Sequence, residues 1–267
     1  MRDWDDAYAN GAHIPGAEGF VPRWQAEAAA FREAAGGQID IAYGVGPRER
    51  LDLFLPEGAP RGLCVFVHGG YWRAFDKSVW SHLAAGTRAK GWAVALPSYP
   101  LAPEARISEI TAAVARAITA AAARVAGPVR LAGHSAGGHL VARMVCEGTP
   151  LPDAVAARVE HVLSISGVHD LRPLLATSMN AVLGLTLAEA RAESPALAEP
   201  RPGTRLTAWV GADERPEFRR QSALIANAWA GFDTDIRLVE APARHHFDVI
   251  ADLALPGSAL TRAFAGD

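Results

Sequence analysis

Val129-Arg130-Leu131-Ala132-Gly133-His134-Ser135-Ala136-Gly137-Gly138-His139-Leu140 is the stretch on which the reading of this chain turns. A short apolar run, Val129 to Ala132, passes at once into Gly133-His134-Ser135-Ala136-Gly137, which fits G-x-S-x-G. Leu140 to Val145 then shows helical spacing. Strand, sharp turn and helix is the setting in which G-x-S-x-G acts as a nucleophile elbow. The serine sits in a strained backbone, tolerable only if its flanks are small, and Gly133, Ala136, Gly137 and Gly138 supply small flanks. The elbow lifts the Ser135 hydroxyl clear of the sheet, and the following helix aims its free N–H groups at the same place.

Composition sets the bounds. The chain has 267 residues, 50% hydrophobic and 21% charged, enough for a packed core and unlike a disordered chain. A net charge of −3 leaves no basic footprint for nucleic acid. The opening Met1-Arg2-Asp3-Trp4-Asp5-Asp6 is unlike a secretory leader, and no apolar run approaches the ~18 residues of a membrane span. Cys64 and Cys146 fall in a strand-like run and a helical pattern, where buried free thiols are expected. The expectation is a soluble cytoplasmic protein with a small-molecule substrate and neither nucleic-acid nor membrane partners. A homo-oligomer is compatible with the sequence.

Around the elbow, the chain alternates strands and helices. Residues 1–37 read as an N-terminal arm, irregular over Tyr8 to Gly16 and helical from Arg23 to Ala35, where Gly36-Gly37 stops it. Asn10 and His13 read as ordinary loop hydrogen-bonding residues. Gln38 to Tyr43 and Arg50 to Leu55 alternate polar and apolar residues, as half-exposed edge strands do. Leu63 to Val67 and Trp92 to Leu96 are continuous apolar runs suited to parallel strands covered on both faces. Helical spacing covers Val79 to Lys90, Ile107 to Val125, Phe218 to Trp229 and the tail from Phe247. Further strands are expected at Val162 to Ser166, Leu206 to Val210 and Asp235 to Val239. This pattern predicts an α/β fold: one doubly wound, mostly parallel sheet in a single domain over residues 1–267. Between Gly167 and Gly203 the alternation lapses, and a small cap insertion is expected there.

A serine hydroxyl needs a base to take its proton, and the base needs a partner to orient it. In elbow hydrolases the chain order is serine, acid, histidine. Asp213, after the strand Leu206 to Val210, is the expected acid, with Asp170 as the alternative. Glu214 and Glu217 sit at a helix start, where carboxylates favour the N-terminal dipole. His246 is the expected base in preference to His245. His134 should pack under the elbow, and His82, His161 and His169 read as structural. The oxyanion of a tetrahedral intermediate needs donors. The Ala136 N–H is one, and His68-Gly69-Gly70-Tyr71 after the strand Leu63 to Val67 should supply the other. Metal chemistry finds no H-E-x-x-H or Cys-x-x-Cys, and nucleotide binding finds no P-loop and no complete G-x-G-x-x-G. No metal and no cofactor are expected.

With these residues assembled, the chain resembles an α/β-hydrolase of the esterase/lipase kind. His68-Gly69-Gly70-Tyr71-Trp72 resembles the HGGxW motif of kynurenine formamidases (arylformamidases) and related bacterial hydrolases. Pro216-Glu217-Phe218-Arg219-Arg220-Gln221-Ser222 and His246-Phe247-Asp248 are similar to that group as well. The resemblance implies a Ser135, Asp213 and His246 triad, with Gly70, Tyr71 and Ala136 as the oxyanion hole; an esterase-type loop would use Gly69 and Gly70. It implies a cofactor-free serine hydrolase acting through an acyl-enzyme on aryl formamides of the N-formylkynurenine type and on short-chain esters. Tyr71 and Trp72, beside the oxyanion loop, are the expected contacts to an aryl ring. The alternative is a general carboxylesterase or thioesterase with no kynurenine role. A non-catalytic ligand receptor on a hydrolase fold is more remote, since every triad candidate is present.

Overall fold

The computed structural model describes residues 2–266. Eight strands form one sheet: β1 (Gln38–Ala42), β2 (Arg50–Phe54), β3 (Leu63–Val67), β4 (Ala93–Pro97), β5 (Val129–His134), β6 (Val159–Ile165), β7 (Thr204–Gly211) and β8 (Thr234–Ala241). The helices are α1 (Trp4–Tyr8), α2 (Phe20–Ala35), α3 (Ala85–Ala89), α4 (Ile107–Ala122), α5 (Ala136–Arg143), α6 (Asp153–Ala156), α7 (Asn180–Leu183), α8 (Leu187–Ala192), α9 (Pro216–Trp229) and α10 (Ala259–Ala265). Strand order is β1-β2-β4-β3-β5-β6-β7-β8. Every pairing from β4 to β8 is parallel, whereas β2 runs antiparallel to both β1 and β4.

The continuous apolar runs have a simple cause. Successive side chains of a strand face opposite sides of the sheet, and here both sides are covered. Leu63, Val65 and Val67 of β3 pack into one core with residues of α4, α5 and α9. Cys64 and Phe66, between them, pack into a second core with Trp24 of α2 and Leu260 and Phe264 of α10. Ala93 and Ala95 of β4 fall in the first core, Val94 and Leu96 in the second. Both cysteines are buried free thiols.

Three expectations from the sequence are corrected. β2 is no edge strand: it lies between β1 and β4 with Leu51 to Phe54 buried. Its polar Asp52 misleads, because that carboxylate is fully buried and held by Lys77 Nζ at 2.8 Å and the Asp40 N–H at 2.9 Å. The helix expected over Val79 to Lys90 is broken into 3₁₀ turns at Lys77–Val79 and Ser81–Ala84 before α3. The tail from Phe247 is also interrupted, with a 3₁₀ turn at Ala251–Ala254 preceding α10. Residues 167–203 contain only short helices, among them α7 and α8, and no strand of the sheet. Among the described residues, no helix is long and apolar enough to cross a membrane.

Candidate active site

Ser135 stands between β5 and α5 with φ 56° and ψ −117°, a conformation that L-residues avoid. Two glycines make it attainable. A Cβ on Gly133 would lie 2.1 Å from the Gly137 carbonyl oxygen, and one on Gly137 would lie 2.0 Å from the Val67 carbonyl oxygen. Neither position has room for any other side chain. The Ser135 N–H donates to the Ile165 carbonyl at 2.8 Å, tying the elbow to the end of β6.

A cavity of about 500 Å³ opens at Ser135, and Gly69, Gly70, Tyr71, His134 and His246 share its wall. The His68–Trp72 loop follows β3 and runs beside Ser135, so that a Cβ on Gly69 would sit 3.0 Å from the Ser135 Cβ. Gly70, Tyr71 and Trp72 have φ values of 110°, 50° and 56°, three consecutive residues at positive φ. Buried His68 stacks on Tyr99 at 4.3 Å and, through Nδ1, contacts the Gly69 carbonyl at 2.7 Å. Burial lowers its pKa to about 4, so the ring is neutral and Nδ1–H is the donor to that carbonyl. Among the described residues, the backbone N–H groups of Gly69, Gly70 and Tyr71 have no acceptor.

His246 lies in the loop after β8. Its Nδ1 is 2.7 Å from Glu214 Oε2, and its ring packs against Phe218 at 4.3 Å and His134 at 4.6 Å. Glu214 Oε1 accepts from the Gly211 N–H at 2.9 Å and from the Ser166 hydroxyl. With a carboxylate as its partner, Nδ1 carries a ring proton and donates it to Glu214. His134 donates from Nε2 to the His246 carbonyl at 2.9 Å. Burial, and then the neighbouring His246, hold the His134 pKa well below the usual range. His134 is therefore a neutral prop beneath the loop.

The carboxylate on His246 is thus Glu214, and the assignment of Asp213 is corrected. Strand β7 runs one residue further than its apolar run suggests, to Gly211, and the chain then turns back with the Glu214 N–H on the Gly211 carbonyl. Asp213 is exposed on the outside of that turn, its N–H on the Arg244 carbonyl at 3.0 Å. Nothing local in Ala212-Asp213-Glu214-Arg215 separates the two acids; the partner, Ser166, lies 48 positions away. Asp170, the other candidate, is occupied by Arg172 at 2.8 Å. His245 turns away from the cavity, where its ring meets Phe20 at 5.3 Å and its Nδ1 accepts the Phe247 N–H at 3.2 Å.

Trp72 is corrected as well. It is completely buried, does not line the cavity, and donates its indole N–H to His139 Nδ1 at 3.2 Å. His139 in turn donates from Nε2 to the Glu193 carbonyl at 2.7 Å. Tyr71 does line the cavity, and the other aromatic walls are ones the sequence did not single out. Trp24 meets Trp80 at 4.7 Å and Phe247 at 5.6 Å, and Phe75 meets Trp80 at 5.6 Å. Asn10 is likewise no plain loop residue: it is buried, lines the cavity and donates to the Tyr71 hydroxyl at 3.2 Å. His13, exposed, pairs with Asp6 at 2.7 Å. Glu217 is more than a dipole partner, being fully buried under the Tyr8 hydroxyl, Arg220 and Gln221. No cluster of metal-ligating side chains occurs among the described residues.

A mostly parallel sheet with helices on both faces and a strand–elbow–helix unit at its centre defines the α/β-hydrolase class of enzyme. Residues 64–265 match the Alpha/beta hydrolase family, and the chain belongs to that family and is a hydrolase. Among curated proteins, a kynurenine formamidase of Danio rerio is 28% identical over 84% of this chain and 79% of its own length. One from Drosophila melanogaster is 28% identical over 86% of this chain and 81% of its own. A crystal structure of a protein from Silicibacter sp. TM1040, provisionally described as a thioesterase, is 52% identical and covers all of both chains with a TM-score of 0.95. A thermostable carboxylesterase from a metagenomic library shares the fold, with a TM-score of 0.72 at 17% identity over 92% of this chain and 96% of its own.

Proposed function

We propose that this protein is a cofactor-free serine hydrolase acting through an acyl-enzyme on aryl formamides of the N-formylkynurenine type and on short-chain carboxylic esters. One observation carries the reading. Ser135 and His246 line a single cavity, and the Nδ1 of that histidine is engaged by a buried carboxylate, Glu214. In this reading His246 Nε2 takes the Ser135 hydroxyl proton as Oγ bonds to the substrate carbonyl carbon. The oxyanion is received by the Ala136 N–H and by Gly70 and Tyr71, or by Gly69 in the esterase arrangement. The C–N or C–O bond then breaks as His246 returns the proton to the leaving group. Water, deprotonated by the same nitrogen, attacks the acyl carbon, and the C–Oγ bond breaks as His246 hands that proton to Ser135 Oγ.

The aromatic walls support an aryl leaving group, since each ring contact contributes about 0.5–1.5 kcal/mol beyond burial. The curated relatives named kynurenine formamidase support the formamide. We read the chain as one domain, with residues 1–37 as an arm and 167–203 as a cap insertion.

A general esterase or thioesterase is the second reading, favoured by the 52% identity to the provisionally described thioesterase. Turnover of N-formylkynurenine, p-nitrophenyl acetate, p-nitrophenyl octanoate and an acyl thioester decides between them. The formamidase reading expects kcat/KM on N-formylkynurenine at or above ~10⁴ M⁻¹s⁻¹ and a steep fall along the acyl series. Negligible formamide turnover beside brisk turnover of octanoate or thioester selects the second reading.

A further inference from the structure

The family match begins at residue 64, yet α1 and the turn after it bring Asp5, Tyr8 and Asn10 to the wall of the Ser135 cavity. The arm is anchored there by buried polar contacts. The Tyr8 hydroxyl donates to Glu217 Oε1 at 3.0 Å and accepts from Gln221 Nε2 at 3.1 Å. Gln221 Oε1 accepts from the N–H groups of His169 and Asp170 at 2.8 and 2.7 Å, so arm, α9 and the 167–203 segment meet at one side chain.

What the arm holds is the loop beside Ser135. The Tyr71 hydroxyl donates to the Tyr8 carbonyl at 2.6 Å, and its oxygen then accepts from Asn10 Nδ2 at 3.2 Å. Proton counting fixes this sense. A carbonyl only accepts, so the single Tyr71 proton goes to Tyr8 and Asn10 must present its amide N–H. Burial raises the Tyr71 pKa far above its ordinary value, so the hydroxyl remains a donor across the working pH range. Gly70, Tyr71 and Trp72 stand at positive φ, and for the two non-glycine residues that backbone is strained. Such a loop relaxes unless its neighbours over-determine it. Trp72 is pinned from the core by His139 and by the Ala102 N–H on its carbonyl at 2.8 Å. The Tyr71 hydroxyl is the pin on the cavity side.

We infer that the N-terminal arm is a positioning element for the oxyanion loop: the Tyr8 carbonyl and the Asn10 amide, by holding the Tyr71 hydroxyl, set where the Gly70 and Tyr71 N–H groups point. The inference rests on the serine-hydrolase reading. Tyr8 and Asn10 are positioning residues, acting through Tyr71.

The test compares Tyr71→Phe, Asn10→Leu and the double variant with the wild type on p-nitrophenyl acetate. A second readout is affinity for phenylboronic acid, whose tetrahedral serine adduct places an oxygen in the oxyanion hole. Losing one donor outright lowers kcat about 10²–10³-fold, so a misplaced one should lower it about 10–100-fold. KM should stay within about threefold, because the interaction strengthens only in the transition state. Boronate affinity should fall in parallel with kcat, and the double variant should be no worse than Tyr71→Phe. Thermal melts identify any variant that fails to fold, and Asn10→Leu, which leaves the tyrosine ring in place, then carries the comparison. An unchanged kcat, or a rise in KM alone, overturns the inference. A Ser135→Ala protein assayed alongside separates the two levels: if it stays active, the serine reading has failed, whatever Tyr71 does.

Discussion

His246 Nδ1 lies 2.7 Å from Glu214 Oε2, although the two residues are 32 positions apart and sit on loops at the ends of neighbouring strands, β8 and β7. The contact exists because β7 and β8 are paired in register to their last residues, Gly211 opposite Ala241, so the loops beyond them emerge side by side. The other Glu214 oxygen is fixed by the Gly211 N–H and the Ser166 hydroxyl, which leaves the carboxylate one orientation.

Exchange of the two adjacent acids follows directly. Glu214→Gln should lower kcat by about 10³–10⁴-fold, the scale seen when an orienting acid becomes an amide and the histidine loses its correct tautomer. Asp213→Asn, at an exposed turn, should stay within about threefold of wild type. Steady-state kinetics on p-nitrophenyl acetate check this, and the reverse ranking would move the acid back to Asp213.

For the histidine pair, His246→Ala should approach the loss of Ser135→Ala, several orders of magnitude, because such residues act as a unit. His245→Ala removes a ring packed on Phe20 and an acceptor shared by the Phe247 and Asp248 N–H groups. It should cost less than about tenfold in kcat, through a slackened loop. A fluorophosphonate should label wild-type protein at Ser135 and leave Ser135→Ala unlabelled, as intact-mass spectrometry would show.

Acid should destabilise the fold well above the range of carboxylate titration. His68, His139 and His169 are buried as neutral rings, and burial lowers their pKa values to about 4, 3 and 3. Unfolded, each titrates near 6.5. Between those limits the unfolded chain binds more protons, so stability is full above about pH 6.5 and is lost as pH falls toward the folded values. Each group contributes about 1.4 kcal/mol per pH unit. Three together correspond to a fall in Tm of about 10 °C between pH 6 and pH 5. Melting curves from pH 8 to 5 test it, and a flat Tm would mean that these rings protonate without unfolding.

Gly137→Ala should destabilise by about 3 kcal/mol, because its Cβ would fall 2.0 Å from the Val67 carbonyl oxygen and 2.7 Å from that of His68. Both obstacles are backbone, so α5 must move away from β3 and carry Ser135 with it. Gly231→Ala, with nothing within 4 Å of the added carbon, should change stability by less than about 0.5 kcal/mol. Urea unfolding of the two variants gives the comparison, and equal stabilities would show that the elbow tolerates a Cβ at 137.

The amino-acid sequence alone determined those parts of this protein whose physics is local. A serine at positive φ between glycines too crowded for a Cβ is written into five consecutive residues. A strand buried on both faces is written as an unbroken apolar run, as in Leu63 to Val67. His246 was a candidate for a related reason, since the loop beyond the last strand emerges at the sheet end that carries the elbow, and the two share one cavity. What the tertiary structure decided are choices between residues that look alike in one dimension. Glu214 prevails over Asp213 because Gly211 and Ser166 hold its carboxylate while Arg244 turns the Asp213 backbone outward. Trp72 belongs to the core because His139, 67 positions on, takes its indole proton. Asp52 made β2 look half-exposed because its partner Lys77 comes from a distant turn. Asn10 read as an ordinary loop residue of the arm, yet Tyr8 and Asn10 close on Tyr71 more than sixty residues away. In each case the deciding term is a hydrogen bond or ion pair between buried groups that must be paired, and its partner is supplied only when the sheet assembles.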